Sequence, residues 1–174
     1  MASASISWIP WHKVVRLRED LLTGELAMNQ FAADLYEVLM QRGKNPIYEN
    51  ADSFFALTFP AANLRKLAGD VIQRLAGQND KAVHQLALTY GGGKTHTLIT
   101  LAHLVRDPAA LPNAPAVDEF KAAAGIAFPR SRVAALCFDK IDAVDGLEVK
   151  SPSGQARRFK YPWSILAWQI AGEE

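Results

Sequence analysis

Disulfide bonding within the chain is closed to this sequence, because Cys137 is its only cysteine. It lies in the apolar run VAALCF, where a thiol behaves as a small buried hydrophobe, so an inert side chain and a reducing, cytoplasmic setting are expected. Also lacking is any apolar run near the roughly 18 residues that a membrane-spanning helix needs. The opening MASASISWIPW has neither the cationic start nor the continuous apolar stretch of a signal peptide, and no export is expected. Charge of one sign is not in surplus either: 19 Lys and Arg face 18 Asp and Glu, which leaves no global field to recruit nucleic acid or an anionic membrane. The histidines, His12, His84, His96 and His103, form no H-E-x-x-H and no Cys/His cluster, which argues against a metal site built from protein ligands alone. No Ser/His/Asp arrangement, internal repeat or low-complexity tract is legible.

What is present is enough apolar matter for a core. With 49% apolar and 21% charged residues, the chain belongs with folded soluble domains. Its length suits one ordinary domain, or one domain with an appended helical segment. Trp8 and Trp11 around Pro10 read as an extended arm that packs its indoles on a neighbour. From Glu25 to Gln41, Phe31, Leu35, Val38 and Leu39 recur at helical spacing up to Gly43, predicting an amphipathic helix. A loop, GKNPIYENADS, and a short helix or turn, FFALTF, precede Pro60. Leu64, Leu67, Val71 and Leu75 then predict a second amphipathic helix ending at Gly77.

At residue 83 the pattern changes. VHQLAL, residues 83–88, is short, apolar-weighted and bounded by polar residues and glycines, which predicts a buried strand. After the glycines, Leu98, Leu101, Ala102 and Val105 mark a helix that stops before Pro108. Residues 107–116 carry three prolines and read as a surface connection, followed by a short helix, VDEFKAAAG. RVAALCF, residues 132–138, has the near-continuous apolar run of a strand covered on both faces. GLEVKSPSGQARRFKY reads as a hairpin or loop around Ser153 and Gly154, and YPWSILAWQIAG as a helix with Trp163, Leu166 and Ile170 on one face.

Between the predicted strand and helix stands LTYGGGKTH, residues 88–96. The phosphate-binding loop pattern G-x-x-x-x-G-K-[ST] is met at Gly93, Lys94 and Thr95, while Leu88 stands where the pattern opens with glycine. A loop that wraps backbone N–H groups around phosphate oxygens needs residues tolerant of positive φ and of close approach, and Gly91, Gly92 and Gly93 are such residues. The following helix would aim its positive end at the same anion. Lys94 would neutralise the β and γ phosphates of ATP, and the Thr95 hydroxyl would take a coordination position on Mg²⁺. His96 follows closely enough for a minor phosphate contact, although packing explains it as well. Tyr90 either lies against the nucleotide or packs; the sequence does not separate these.

LTYGGGKTHTLITLAHL, with FAADLYEVL and LRKLAGDVIQRLAG upstream and the terminal WSILAWQIAGEE, resembles the start of the large prokaryotic AAA-type ATPases grouped as domain of unknown function 499. The resemblance runs from PWHKVVRLREDLLTGEL to the end, and GGGKTH is its most specific part. Members of that family are similar in lacking the first motif glycine. The resemblance implies an ATPase of phage-defence and DNA-modification gene clusters, in longer chains that place the nucleotide between subunits. On this footing the expected fold is α/β: a helical segment over 1–80, then a partial P-loop NTPase sheet of AAA type over 81–174.

Hydrolysis is a separate matter, because it needs an apolar strand ending in Asp, usually with Glu, to hold Mg²⁺ and orient water. AALCFDK is the one candidate: Asp139 is either a Mg²⁺ ligand or an ordinary strand-end residue, and Lys140 stands where the glutamate is expected. Only 79 residues follow Thr95, short for a five-stranded sheet with its helices, so an N-terminal piece with an exposed sheet edge and apolar helix face is expected. Whether such a chain is an enzyme is left open. Rival readings are a small P-loop kinase and a non-enzymatic interaction module of a defence complex. The basic ARRFK, residues 156–160, is a solvated loop or a nucleic-acid contact. Partners of the complete protein would be nucleotide and defence-system proteins or nucleic acid, not membrane.

Overall fold

The computed structural model describes residues 8–17, 22, 33–40, 43, 45–89 and 91–172. The chain divides into two compact units, residues 1–32 and 33–174. In the first, Pro10 leads into a single helical turn, α1 (Trp11–Val14). Trp8 and Trp11 are both exposed.

The second unit is mixed, α helices with one small antiparallel sheet, an α/β composition at the coarse level. Its order is α2 (Leu35–Met40), α3 (Pro46–Glu49), α4 (Ala51–Ala56), α5 (Ala62–Leu75), α6 (Lys94–Arg106), α7 (Pro115–Ala124), β1 (Leu147–Lys150), β2 (Ala156–Phe159) and α8 (Pro162–Ile170). Local chemistry sets several of these limits. The Asp34 carboxylate accepts from the Tyr36 and Glu37 N–H groups and so caps α2. The residues of the predicted helix before 33, Phe31 among them, lie outside the described residues, as do Gln41 and Tyr90. The loop predicted over residues 43–53 instead folds into α3, started by Pro46, and α4, capped by the Asn50 side chain on Ser53 N–H at 3.0 Å. Helix α5 closes with the paired bonds Gln78 N–H to Gln73 O and Gly77 N–H to Arg74 O, a Schellman ending.

Five helices share the main core. Val38 of α2, Phe54 and Phe55 of α4, Ala68 and Ile72 of α5, Ile99 and Leu104 of α6, and Val117 and Phe120 of α7 are all buried together. Elements on both sides of residue 80 therefore build one core. Helices α5 and α7 approach most closely at Gly69, where an added Cβ would lie 2.9 Å from the Ala123 carbonyl oxygen. The Gln73 amide donates to Ala124 O at 3.1 Å, and Arg65 pairs with Glu119 along the same contact. The inward faces are rotated from the predicted ones. On α5 the buried residues are Ala68, Gly69 and Ile72, while Leu75 is exposed.

A second cluster joins the hairpin to α8 through Leu147, Val149, Ile165 and Trp168. The hairpin is as predicted, with Leu147 opposite Phe159 and Lys150 opposite Ala156, and a turn closed by Gly154 N–H on Ser151 O. Trp168 sets the face of α8: its indole N–H donates to Gln155 O at 3.2 Å and its ring packs on Phe159. Trp163, predicted on the inward face, is consequently exposed. The hairpin is tied to α2 by the Tyr36 hydroxyl on Glu148 O and by Lys150 Nζ on Met40 O.

Neither predicted strand, 83–88 or 132–138, is a strand. Among the described residues no backbone ladder reaches either stretch, and a strand exists only where a neighbour takes its N–H and C=O groups. His84 and Leu86 are half-buried while Val83, Gln85 and Ala87 are exposed, the alternation of a strand with one face on a helix. In the other stretch, Ala135 is bonded twice by the Gln169 side chain of α8, at 2.9 Å each way. Leu35, Leu39, Val71, Leu98, Leu101 and Val133 border an open apolar groove of about 160 Å³ beside this stretch. No helix among the described residues is long and apolar enough to cross a membrane.

Candidate functional site

The glycine loop enters α6 directly. Gly91 and Gly93 take φ of 78° and 77°, the left-handed region that side chains rarely adopt. Gly92 has a different reason to be glycine: a Cβ there would lie 2.9 Å from Leu88 Cβ and 3.0 Å from Thr89 O. Its N–H donates to Thr89 O at 3.1 Å, closing a tight turn. Across this turn the Lys94 ammonium donates to Leu88 O at 2.8 Å and Thr89 O at 2.9 Å. The lysine thus fastens the end of the loop to its start. The acceptor at position 88 is a backbone carbonyl, which leucine carries as the glycine of the motif would.

Helix α6 spans 13 residues and, among the described residues, no side chain caps its N-terminus, so its first N–H groups and the positive end of its dipole face the loop. The threonines of its first two turns are not equivalent. Thr97 and Thr100 donate their hydroxyls back to Gly93 O and His96 O, at 2.9 and 2.8 Å. Thr95 shows no such bond among the described residues. Glycines of the right conformation, a lysine over the loop, and a helix start and a threonine hydroxyl with no side-chain bond among the described residues form a donor set that fits a phosphate chain with its Mg²⁺.

His96 points elsewhere. Its ring lies 4.8 Å from that of Phe54, and Nε2 is 3.4 Å from the Thr58 hydroxyl. Since that hydroxyl donates to Phe54 O at 2.7 Å, the imidazole N–H is the donor to it. Two helical turns on, His103 also stacks on Phe54, at 5.1 Å, and donates from Nε2 to Tyr48 O at 2.8 Å. Burial lowers the pKa of His96. Burial lowers that of His103 too, helped by the Arg106 charge and opposed by the bond to Tyr48. Both rings are neutral struts that fix α6, and hence the loop, against α3 and α4. Sequence reading missed Phe54 and Thr58 in this role; the one available signal was the aromatic pair in FFALTF.

Among the described residues no hydrogen bond or ion pair links the glycine loop to Asp139. It lies exposed in a 3-10 turn, Phe138–Lys140, that follows the unpaired stretch. Its neighbour Lys140 pairs with Asp34 at 3.0 Å, which fastens the turn to the start of α2. Burial raises the Asp34 pKa, but Lys140 and the capping N–H groups outweigh it and hold the carboxyl below its ordinary value. The Cys137 thiol is pushed up, first by burial and then by the carboxylates of Asp34 and Asp139, so it is protonated at neutral pH as an inert thiol should be. No group of three or more His, Cys, Asp or Glu suited to a metal occurs among the described residues.

Comparison with curated proteins and with solved structures found no match to either. A family model described as DUF499 N-terminal domain matches residues 11–144. That span takes in the helical core, the glycine loop and the turn at Asp139, and with most of its length so covered the chain belongs to the DUF499 family.

Proposed function

We propose that this domain binds Mg²⁺-ATP through residues 88–95, as the N-terminal part of an AAA-type P-loop ATPase. The reading rests chiefly on one observation: Lys94 ties the loop ends together over Gly91, Gly92 and Gly93 at the uncapped start of α6. In it, backbone N–H groups of the loop hold the β and γ phosphates, Lys94 turns from the loop carbonyls toward them, and Thr95 ligates Mg²⁺. Bound Mg²⁺ would supply charge neutralisation across the phosphates. His96 steadies the helix rather than the nucleotide. The finer fold assignment belongs to the same proposal: residues 83–88 and 132–138, unpaired here, are the stretches that would become strands of a P-loop sheet once neighbours take their backbone groups. Asp139 has no role in it, and turnover is not expected from this domain alone. A cytoplasmic place in a phage-defence or DNA-modification system follows from the family resemblance.

The test is calorimetric titration of Mg²⁺-ATP into the wild-type chain and Lys94→Ala, with phosphate release followed in the same samples. Binding by the wild type that falls at least tenfold in the variant, without turnover, is the expected result; about 1.4 kcal/mol per factor of ten is within what one charge-assisted phosphate contact supplies. Equal binding by both proteins, or binding by neither, refutes the reading.

A further inference from the structure

Leu88 occupies the place at which the phosphate-loop pattern opens with glycine. A pattern glycine leaves that point of the backbone free of side-chain contacts. Here the point is filled. The Leu88 side chain lies beneath Gly92, so close that a Cβ on residue 92 would meet Leu88 Cβ at 2.9 Å and Leu88 Cδ1 at 3.6 Å. The carbonyl of the same leucine, with that of Thr89, receives the Lys94 ammonium. Gly92 in turn donates to Thr89 O. One residue therefore touches both halves of the arch, by its side chain at the crown and by its carbonyl at the closing lysine.

We propose that Leu88 is a positioning residue of the loop: it holds Gly92 and the Leu88 and Thr89 carbonyls in the arrangement that Lys94 closes. The leucine supplies by packing, and by a stiffer backbone than glycine has, the shape that receives phosphate. The leucine and Gly92 then form a pair, because the bulk at 88 is what demands the absence of bulk at 92. This rests on the reading of the loop as an ATP site, and it makes an unusual demand of it: restoring the full motif should impair the site.

Four variants test this: Leu88→Gly, Leu88→Met, Gly92→Ala, and Leu88→Gly combined with Gly92→Ala. Each is titrated with Mg²⁺-ATP, and the exchange rate of the Gly92 amide is measured by NMR without nucleotide. Leu88→Gly is expected to weaken binding about threefold through the loosened backbone and to speed Gly92 exchange. Leu88→Met should recover most of both losses. Gly92→Ala should weaken binding roughly tenfold by displacing the crown of the loop, with part of that loss relieved in the double variant, which removes one of its two close contacts. Binding by Leu88→Gly as tight as wild type, with unchanged Gly92 exchange, overturns the proposal. If the wild type binds no Mg²⁺-ATP, the ATP reading fails, and the exchange data alone then decide the positioning role: faster Gly92 exchange in Leu88→Gly upholds it, unchanged exchange ends it.

Discussion

Gln169 of α8 gives a sharp handle on the stretch predicted as a strand but found without a neighbour. Its carboxamide accepts from Ala135 N–H and donates to Ala135 O, both at 2.9 Å, which is what a residue of an adjacent strand would do with backbone groups. Arg132 adds a bond to Ile170 O at 2.7 Å, so the end of α8 substitutes for a ladder along 132–135. Leucine at 169 keeps the approximate volume and removes both partners. Each bond contributes about 1 kcal/mol net, and the half-buried Ala135 groups lose their partners with incomplete access to water, so Gln169→Leu should destabilise the unit by about 2 kcal/mol. At this chain length that corresponds to a melting shift of about 6 °C. Gln169→Glu separates the two bonds. Its carboxylate keeps the acceptor for Ala135 N–H but faces Ala135 O with no proton to give, so it should be destabilised at pH 7 and approach wild type as the pH falls through the carboxyl range. Urea unfolding followed by far-UV circular dichroism, at pH 7 and pH 4 with wild type beside each variant, reads both effects. A Gln169→Leu protein within about 0.5 kcal/mol of wild type, the ordinary scatter of surface changes, would refute the view that side chains of α8 hold this stretch in place.

Two further perturbations test the helical core. Gly69→Ala drives a methyl against the backbone of Ala123, 2.9 Å from its carbonyl oxygen; the clash of about 1–3 kcal/mol should exceed the gain of up to about 1 kcal/mol in helix propensity, so unfolding at lower urea is expected, and unchanged stability would count against the tight α5 and α7 contact. Acid titration examines the struts under α6. His96 and His103 have folded pKa values below 6.5, so the unfolded chain takes up their protons first. Stability is then fully present above pH 6.5 and falls as the pH drops toward the folded values. Asp34, held below 3.8, begins to lose its contribution only in more acidic solution. Stability that stays flat between pH 7 and pH 5 would show that neither ring is held neutral by its burial on Phe54.

The elements whose identity depends on local chemistry were legible in the chain. VDEFKAAAG lies largely in α7, Gly154 turns the hairpin, and Gly91 and Gly93 bend the loop, although Pro115, read as part of the surface connection, is the residue that starts α7. Helix faces were less legible because they depend on what lies opposite. Trp163 and Trp168 are equally apolar, and it is the hairpin, with the Gln155 carbonyl, the Phe159 ring and the Leu147 and Val149 side chains, that makes Trp168 the one that is buried. The same limit applies more strongly to strands. VHQLAL and RVAALCF carry strand-like composition, yet a strand is a relation between two chains of backbone, and neither sequence contains its partner. In the glycine loop, composition pointed to Gly91, Gly92, Gly93, Lys94 and Thr95 together, but it could not distinguish why each is there. Two glycines are required by φ and one by the leucine four residues before it, a distinction that exists only once Leu88 and Gly92 are brought face to face. Asp139 shows the converse. An acidic residue after an apolar run met the pattern of a metal ligand, while Lys140, a residue whose partner Asp34 is distant in sequence, decides where that turn is fastened. Residues whose role lies in their own backbone are readable one at a time; residues whose role lies in a partner are readable only with the fold.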